Sequence, residues 1–128
     1  MKRIGFLLCF LCLCAISALA QDAVKADPKH YTVEFENDQV RVLRIKYGPH
    51  EKSVMHSHPA GVVIMVTDMN TKFTLADGKT EERQGKAGQV LPAEAGTHLP
   101  DNLSDQPFEA ILVELKANPA ESTQPKKP

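Results

Sequence analysis

The chain has 128 residues, 42% of them hydrophobic and 24% charged, with a formal net charge of −1 and no tryptophan. A chain of this length holds one domain. Without a basic excess it is a poor candidate for binding nucleic acid or anionic membranes.

The first twenty residues carry Lys2-Arg3, an apolar run from Ile4 to Cys14, and Ala18-Leu19-Ala20. A positive start, a short apolar stretch and small residues at the end predict a signal peptide over residues 1–20. The apolar run is shorter than the roughly 20 residues a membrane-spanning helix needs, so no span is expected after cleavage. Lys2 and Arg3 leave with the signal, so 15 basic residues become 13 against 16 acidic ones and the net charge moves from −1 to −3. Cys9, Cys12 and Cys14 leave as well. The mature chain then has no disulfide, no thiolate nucleophile and no Cys-ligated metal. Leu13 is large where a lipid-attachment cysteine wants a small predecessor, which argues against anchoring at Cys14. The expected destination is secreted or periplasmic.

Residues 21–34 read as a polar N-terminal arm, with Asp27-Pro28, and a first strand. Tyr31 to Phe35 alternates with period two and stops at Asn37-Asp38. Val40 to Tyr47 is rich in Val, Leu and Ile and stops at Gly48-Pro49. Gly61 to Val66 is a continuous apolar run, and Lys72 to Ala76 meets Asp77-Gly78, a strong hairpin signal. Thr80 to Gln84 predicts a polar edge strand, Gln89 to Leu91 a short one, and Phe108 to Leu115 the last. The runs around Val62–Val66 and Ala110–Leu115 are apolar on both faces, as expected of strands buried in the middle of the fold. Short strands separated by Gly, Pro, Asn and Asp predict an all-β sandwich or barrel. Residues 117–128 hold three prolines and Lys126-Lys127 and are expected to be a disordered tail.

Five histidines are unevenly placed. His56-Ser57-His58 sets two imidazoles on one face of a strand, because residues two apart in a strand point the same way. His98, after Gly96-Thr97, lies on a separate predicted strand. Three imidazoles from adjacent strands form a facial arrangement with open positions, suited to Fe, Zn, Ni, Mn or Cu. Read without a metal, the same residues are strand histidines bonded to backbone groups. His30 and His50 each stand alone in polar segments and read as surface residues, with His50 a candidate for the mouth of a site. Ser53, Ser57 and Ser104 lack a Gly-x-Ser-x-Gly context. Gly85-Lys86-Ala87-Gly88 has no following helix for a phosphate loop.

These residues resemble the two motifs of the cupin superfamily. The first runs from a glycine through His-x-His to a glutamate and a second glycine. Here Gly48 precedes His56-Ser57-His58 by seven intervening residues rather than five, and the glutamate position falls on Val62 or Val63. The second runs from a glycine through Pro-x-Gly to His and Asn. Here Gly85 or Gly88 leads to Pro92, Gly96, His98 and Asn102, with the Pro92 to Gly96 part stretched. The resemblance covers about residues 35–116 and implies a single-domain cupin-like jelly-roll β-barrel. It implies a divalent metal ion held by His56, His58 and His98, with no carboxylate ligand.

Such a site keeps the metal's double charge and favours small anionic or chelating molecules, so one expectation is a metal-dependent oxygenase or Lewis-acid enzyme. The other is a non-catalytic module that binds a small ligand or the metal itself. Asn102 and Glu94 are candidates for orienting a ligand, and Glu51 for approaching the site from its loop. The resemblance also carries a homodimer, for which Val33 and Phe35 would supply an edge.

Overall fold

The computed structural model describes residues 21–117; the predicted signal and nearly all of the predicted tail lie outside them. Nine strands follow one short helix: α1 (Ala23–Ala26), β1 (Tyr31–Glu36), β2 (Val40–Tyr47), β3 (His56–His58), β4 (Gly61–Met65), β5 (Met69–Leu75), β6 (Thr80–Gly85), β7 (Val90–Ala93), β8 (Gly96–Asn102) and β9 (Phe108–Leu115). They form two antiparallel sheets, ordered β1-β2-β9-β4-β7 and β3-β8-β5-β6. This is a jelly-roll arrangement, with a cavity lined by both sheets between them.

β-branched and aromatic residues explain where the strands run, since their side chains pack well on a pleated surface. The β5–β6 hairpin turns at Asp77-Gly78, where Gly78 takes a φ of +85° that a side chain would resist. β6 is an edge strand, as its polarity predicts.

The core lies on the inner face of the five-stranded sheet. Leu43, Ile45, Tyr47, Met65, Phe108, Ala110 and Leu112 are buried there with Tyr31 and Ala23. Truncating Leu43, fully buried, to alanine would cost about 2–5 kcal/mol in lost transfer energy and cavity formation. β4 crosses β9 so closely that a Cβ on Gly61 would lie 2.0 Å from the Val113 carbonyl oxygen. This contact sets the chain leaving His58 directly against Glu114, the register partner of Gly61.

Three expectations about the strands change. β4 and β9 are inner strands, but only one face of β9 is buried: Phe108, Ala110, Leu112 and Glu114 point inward, while Leu115 is exposed. β1 does not alternate, because its register slips between Val33 and Phe35 and both side chains stay exposed. Such a bulge re-aims side chains along an edge strand. The N-terminal arm is docked. Asp22 caps α1 by accepting a hydrogen bond from the Val24 amide, Ala23 is fully buried, and Asp22 bridges Ser57 along the otherwise open edge of β3.

Candidate metal centre

The three histidines predicted to act together are brought together. β3 pairs with β8 so that His56 faces His98 across the ladder, while Ser57 and Thr97 meet on the other face through a 2.7 Å hydroxyl contact. Period-two geometry then turns His58 to the side of His56. One nitrogen from each of His56, His58 and His98 lies within 4.8 Å of the others. His56 is completely buried, and His58 and His98 line the cavity in front of it.

The outer nitrogens settle which atoms face inward. His56 Nδ1 lies 2.8 Å from the Val54 carbonyl, which only accepts, so Nδ1 carries the hydrogen and donates it. His58 Nδ1 lies 2.9 Å from a carboxylate oxygen of Glu114 and donates in the same way. With Nδ1 as the donor, the inner nitrogen of His56 is an acceptor, and that of His58 is turned toward it. These two Nε2 atoms are 3.0 Å apart. Burial, and then the neighbouring His58, push the His56 imidazolium pKa down to about 4. Burial followed by His58, His56 and Arg83 pushes that of His98 down to about 3. His56 and His98 are therefore neutral, with lone pairs available, at physiological pH.

Glu114 is the residue that reading by motif missed. It is 2% exposed, and its two oxygens are taken by His58 and by Arg41 Nε at 2.6 Å. Burial opposes its charge, but those two hydrogen bonds outweigh burial and hold its carboxyl below the usual range. Its signal was a charge in phase with the inward residues Phe108, Ala110 and Leu112. Among the described residues, then, no carboxylate joins the three nitrogens, but one stands directly behind His58.

The cavity measures about 620 Å³. Its walls are mainly apolar, including Ile45, Val63, Met65, Leu91 and Leu112. Tyr31 sets its ring against both His56 and His58, with centroids 4.7 and 5.4 Å away, and its hydroxyl meets that of Tyr47 at 2.8 Å. Burial raises the Tyr31 phenol far above its ordinary pKa, so it stays protonated. Phe73 lies 4.9 Å from His98, with the Arg83 guanidinium 5.0 Å over its ring.

The other predicted site residues fall elsewhere or at the rim. Glu94 lines the cavity and is exposed. Asn102 is not a ligand-orienting residue: its amide donates to the carbonyls of Gly48 and Gln106 and its oxygen accepts from the Ser104 amide. It clamps a loop. Glu51 does not reach His56, His58 or His98; it accepts from the Gly48 amide and pairs with Lys29 and His30. His30, expected at the surface, is 5% exposed, with a carboxylate on each nitrogen and its ring stacked on Tyr47. A polar segment hid it because Asp27 and Glu51 supply the partners that make burial affordable. His50 remains exposed, paired with Asp105, and does not line the cavity.

No protein-family model and no curated protein matches the sequence. Solved structures do match its fold. A cupin domain from Bordetella pertussis Tohama I superposes with a TM-score of 0.63 at 26% identity, over 68% of this chain and 92% of that one. An uncharacterized protein with a double-stranded β-helix domain from Klebsiella pneumoniae subsp. pneumoniae gives 0.55 at 19% identity, over 70% and 80%. A cupin family protein with a double-stranded β-helix fold from Methanocaldococcus jannaschii gives 0.52 at 20%, over 70% and 83%. The chain thus has the double-stranded β-helix fold seen in cupin domains.

Proposed function

We propose that the protein is an exported cupin that binds one divalent first-row metal ion through His56, His58 and His98, and acts with it on a small, largely apolar anionic molecule in the cavity. The observation that carries this reading is the pair of buried Nε2 atoms 3.0 Å apart, with His98 closing the group within 4.8 Å. Two imidazole nitrogens at that distance share a proton or a metal cation, and both are within reach of the same ion. Ligand bonds of about 2.1 Å at near-right angles span about 3 Å between nitrogens, so the His56–His58 spacing fits two adjacent ligands of one ion.

When bound, a divalent ion supplies Lewis acidity and open positions for an oxygen donor. The chain's own residues do the rest. Val54 and Glu114 fix the tautomers, as hydrogen bonds behind metal-ligating histidines do. The apolar walls exclude water and favour a molecule with a hydrocarbon body. Tyr31 offers a neutral hydroxyl beside the imidazoles, and Glu81, Arg83 and Glu94 line the rim.

A Co(II) titration tests this reading. We expect visible absorption that saturates at one equivalent and is lost in His58→Ala. No saturable binding of Co, Zn, Ni, Mn, Cu or Fe would end it. Oxygen uptake by metal-loaded protein over dicarbonyls, thiols and phenols separates the two expected classes. A rate above the His58→Ala control supports an enzyme, whereas bound metal without turnover leaves a binding module. Export rests on residues 1–20 and is checked by N-terminal sequencing of secreted or periplasmic material, which should begin near Gln21. A homodimer through β1, where Val33 is 43% and Phe35 53% exposed, is checked by light scattering on the wild type and Phe35→Lys.

A further inference from the structure

The N-terminal segment does more than cover the edge of β3. Its first described residues run alongside β3, where the Ser57 amide donates to the Gln21 carbonyl at 2.9 Å. Asp22 then forms an ion pair with Arg41 Nη2, Arg41 Nε donates to Glu114 at 2.6 Å, and Glu114 accepts from His58 Nδ1 at 2.9 Å. Further along, Asp27 accepts from the Ser53 hydroxyl at 2.5 Å. With its hydrogen committed there, Ser53 Oγ turns a lone pair toward His56 Nδ1, 3.4 Å away. One segment thus reaches the outer nitrogens of two of the three histidines, through Arg41 and Glu114 and through Ser53.

We infer that the segment Gln21–His30 positions the metal ligands, with Asp22 as the positioning residue for His58, acting through Arg41 and Glu114. The inference rests on the metal reading above. Glu114 has two jobs, and they compete: an Arg41 left without Asp22 is free to pull the carboxylate away from His58. With Asp22 in place, the guanidinium is held between two carboxylates and Glu114 is held where His58 needs it. A carboxylate behind a ligating imidazole fixes its tautomer and raises its basicity, and loss of such a partner costs about 10–100-fold in metal affinity.

Asp22→Asn isolates the effect. Asparagine caps a helix as well as aspartate, so α1 and its Val24 bond survive while the negative charge that pairs with Arg41 is lost. The measurements are the Co(II) dissociation constant by competition with a chromophoric chelator, the energies of the Co(II) absorption bands, and the melting temperature of the metal-free protein. We expect Glu114→Gln to weaken Co(II) binding about 10–100-fold and Asp22→Asn about threefold to tenfold. The Asp22→Asn bands should shift, and Asp22→Glu should restore both readouts. A second readout needs no metal: imidazole 15N shifts should report an Nδ1–H tautomer at His58 in the wild type and a mixture in Asp22→Asn. Wild-type affinity, bands and tautomer in Asp22→Asn would overturn the inference and leave the segment as an edge cover. Failure of the wild type to take up Co(II) would overturn the metal reading, and this inference with it.

Discussion

Two buried histidine clusters lie in this small fold, and they are built to opposite plans. His30 has a carboxylate at each nitrogen, Asp27 at 2.6 Å and Glu51 at 2.9 Å, so its ring is fully satisfied within the protein. His56 and His58 meet a carbonyl and a carboxylate only at their outer nitrogens, and their inner nitrogens are turned to each other at 3.0 Å. Burial alone does not distinguish the two. What separates a histidine that holds the fold from one that holds a ligand is where its second nitrogen points, and whether the protein answers it.

The comparison breaks most readily by removing one member from each cluster. His58→Ala should weaken metal binding by more than about a hundredfold, beyond what loss of an outer partner costs. His30→Ala should leave that affinity within about threefold, read by the same chelator competition. Stability should follow the reverse pattern. His30→Ala strands Asp27 without its ring partner and should cost about 2–4 kcal/mol in denaturant unfolding. His98→Ala in the metal-free protein should cost less, since no hydrogen bond to its side chain is lost among the described residues.

Asn102 sharpens the comparison at a smaller scale. Asn102→Ala removes three loop hydrogen bonds and should destabilise by about 1–3 kcal/mol with metal affinity unchanged, because the clamp does not touch the histidines. An affinity loss there would return Asn102 to the site. The smallest effect is expected at Glu51. The Lys29 ammonium, then the Gly48 amide and His30, hold its carboxyl down to about 2. A depressed carboxylate contributes stability that is complete above its unfolded pKa, near 4.5, and lost as pH falls toward 2. The melting-temperature gap between wild type and Glu51→Gln should stay constant above about pH 5 and close by about pH 2.

Much of the fold was readable from local pattern. Val40–Tyr47 and Phe108–Leu115 run between the boundaries their composition predicts, and Asp77-Gly78 makes the expected turn. His56, His58 and His98 were recognisable because two periodicities place them, spacing within β3 and pairing across to β8. The supporting groups were harder to see, for a physical reason. Asp22, Arg41 and Glu114 have no shared spacing; only the pairing of β2 with β9 and the docking of the segment before β1 unite them. Glu114 was hidden differently, inside a run read as apolar on both faces, although its phase put a charge on the core face. His30 misled because a histidine among polar neighbours looks solvated until two carboxylates, one of them 21 residues away, close around it.

The central claim is that His56, His58 and His98 hold a metal ion and His30 does not. Elemental analysis of the purified protein, with His56→Ala, His58→Ala, His98→Ala and His30→Ala beside it, tests this most directly. The account predicts about one equivalent of a first-row divalent metal in the wild type and in His30→Ala, and little or none in the other three. Metal-free wild-type protein that cannot be loaded, or undiminished metal in all three site variants, would contradict it.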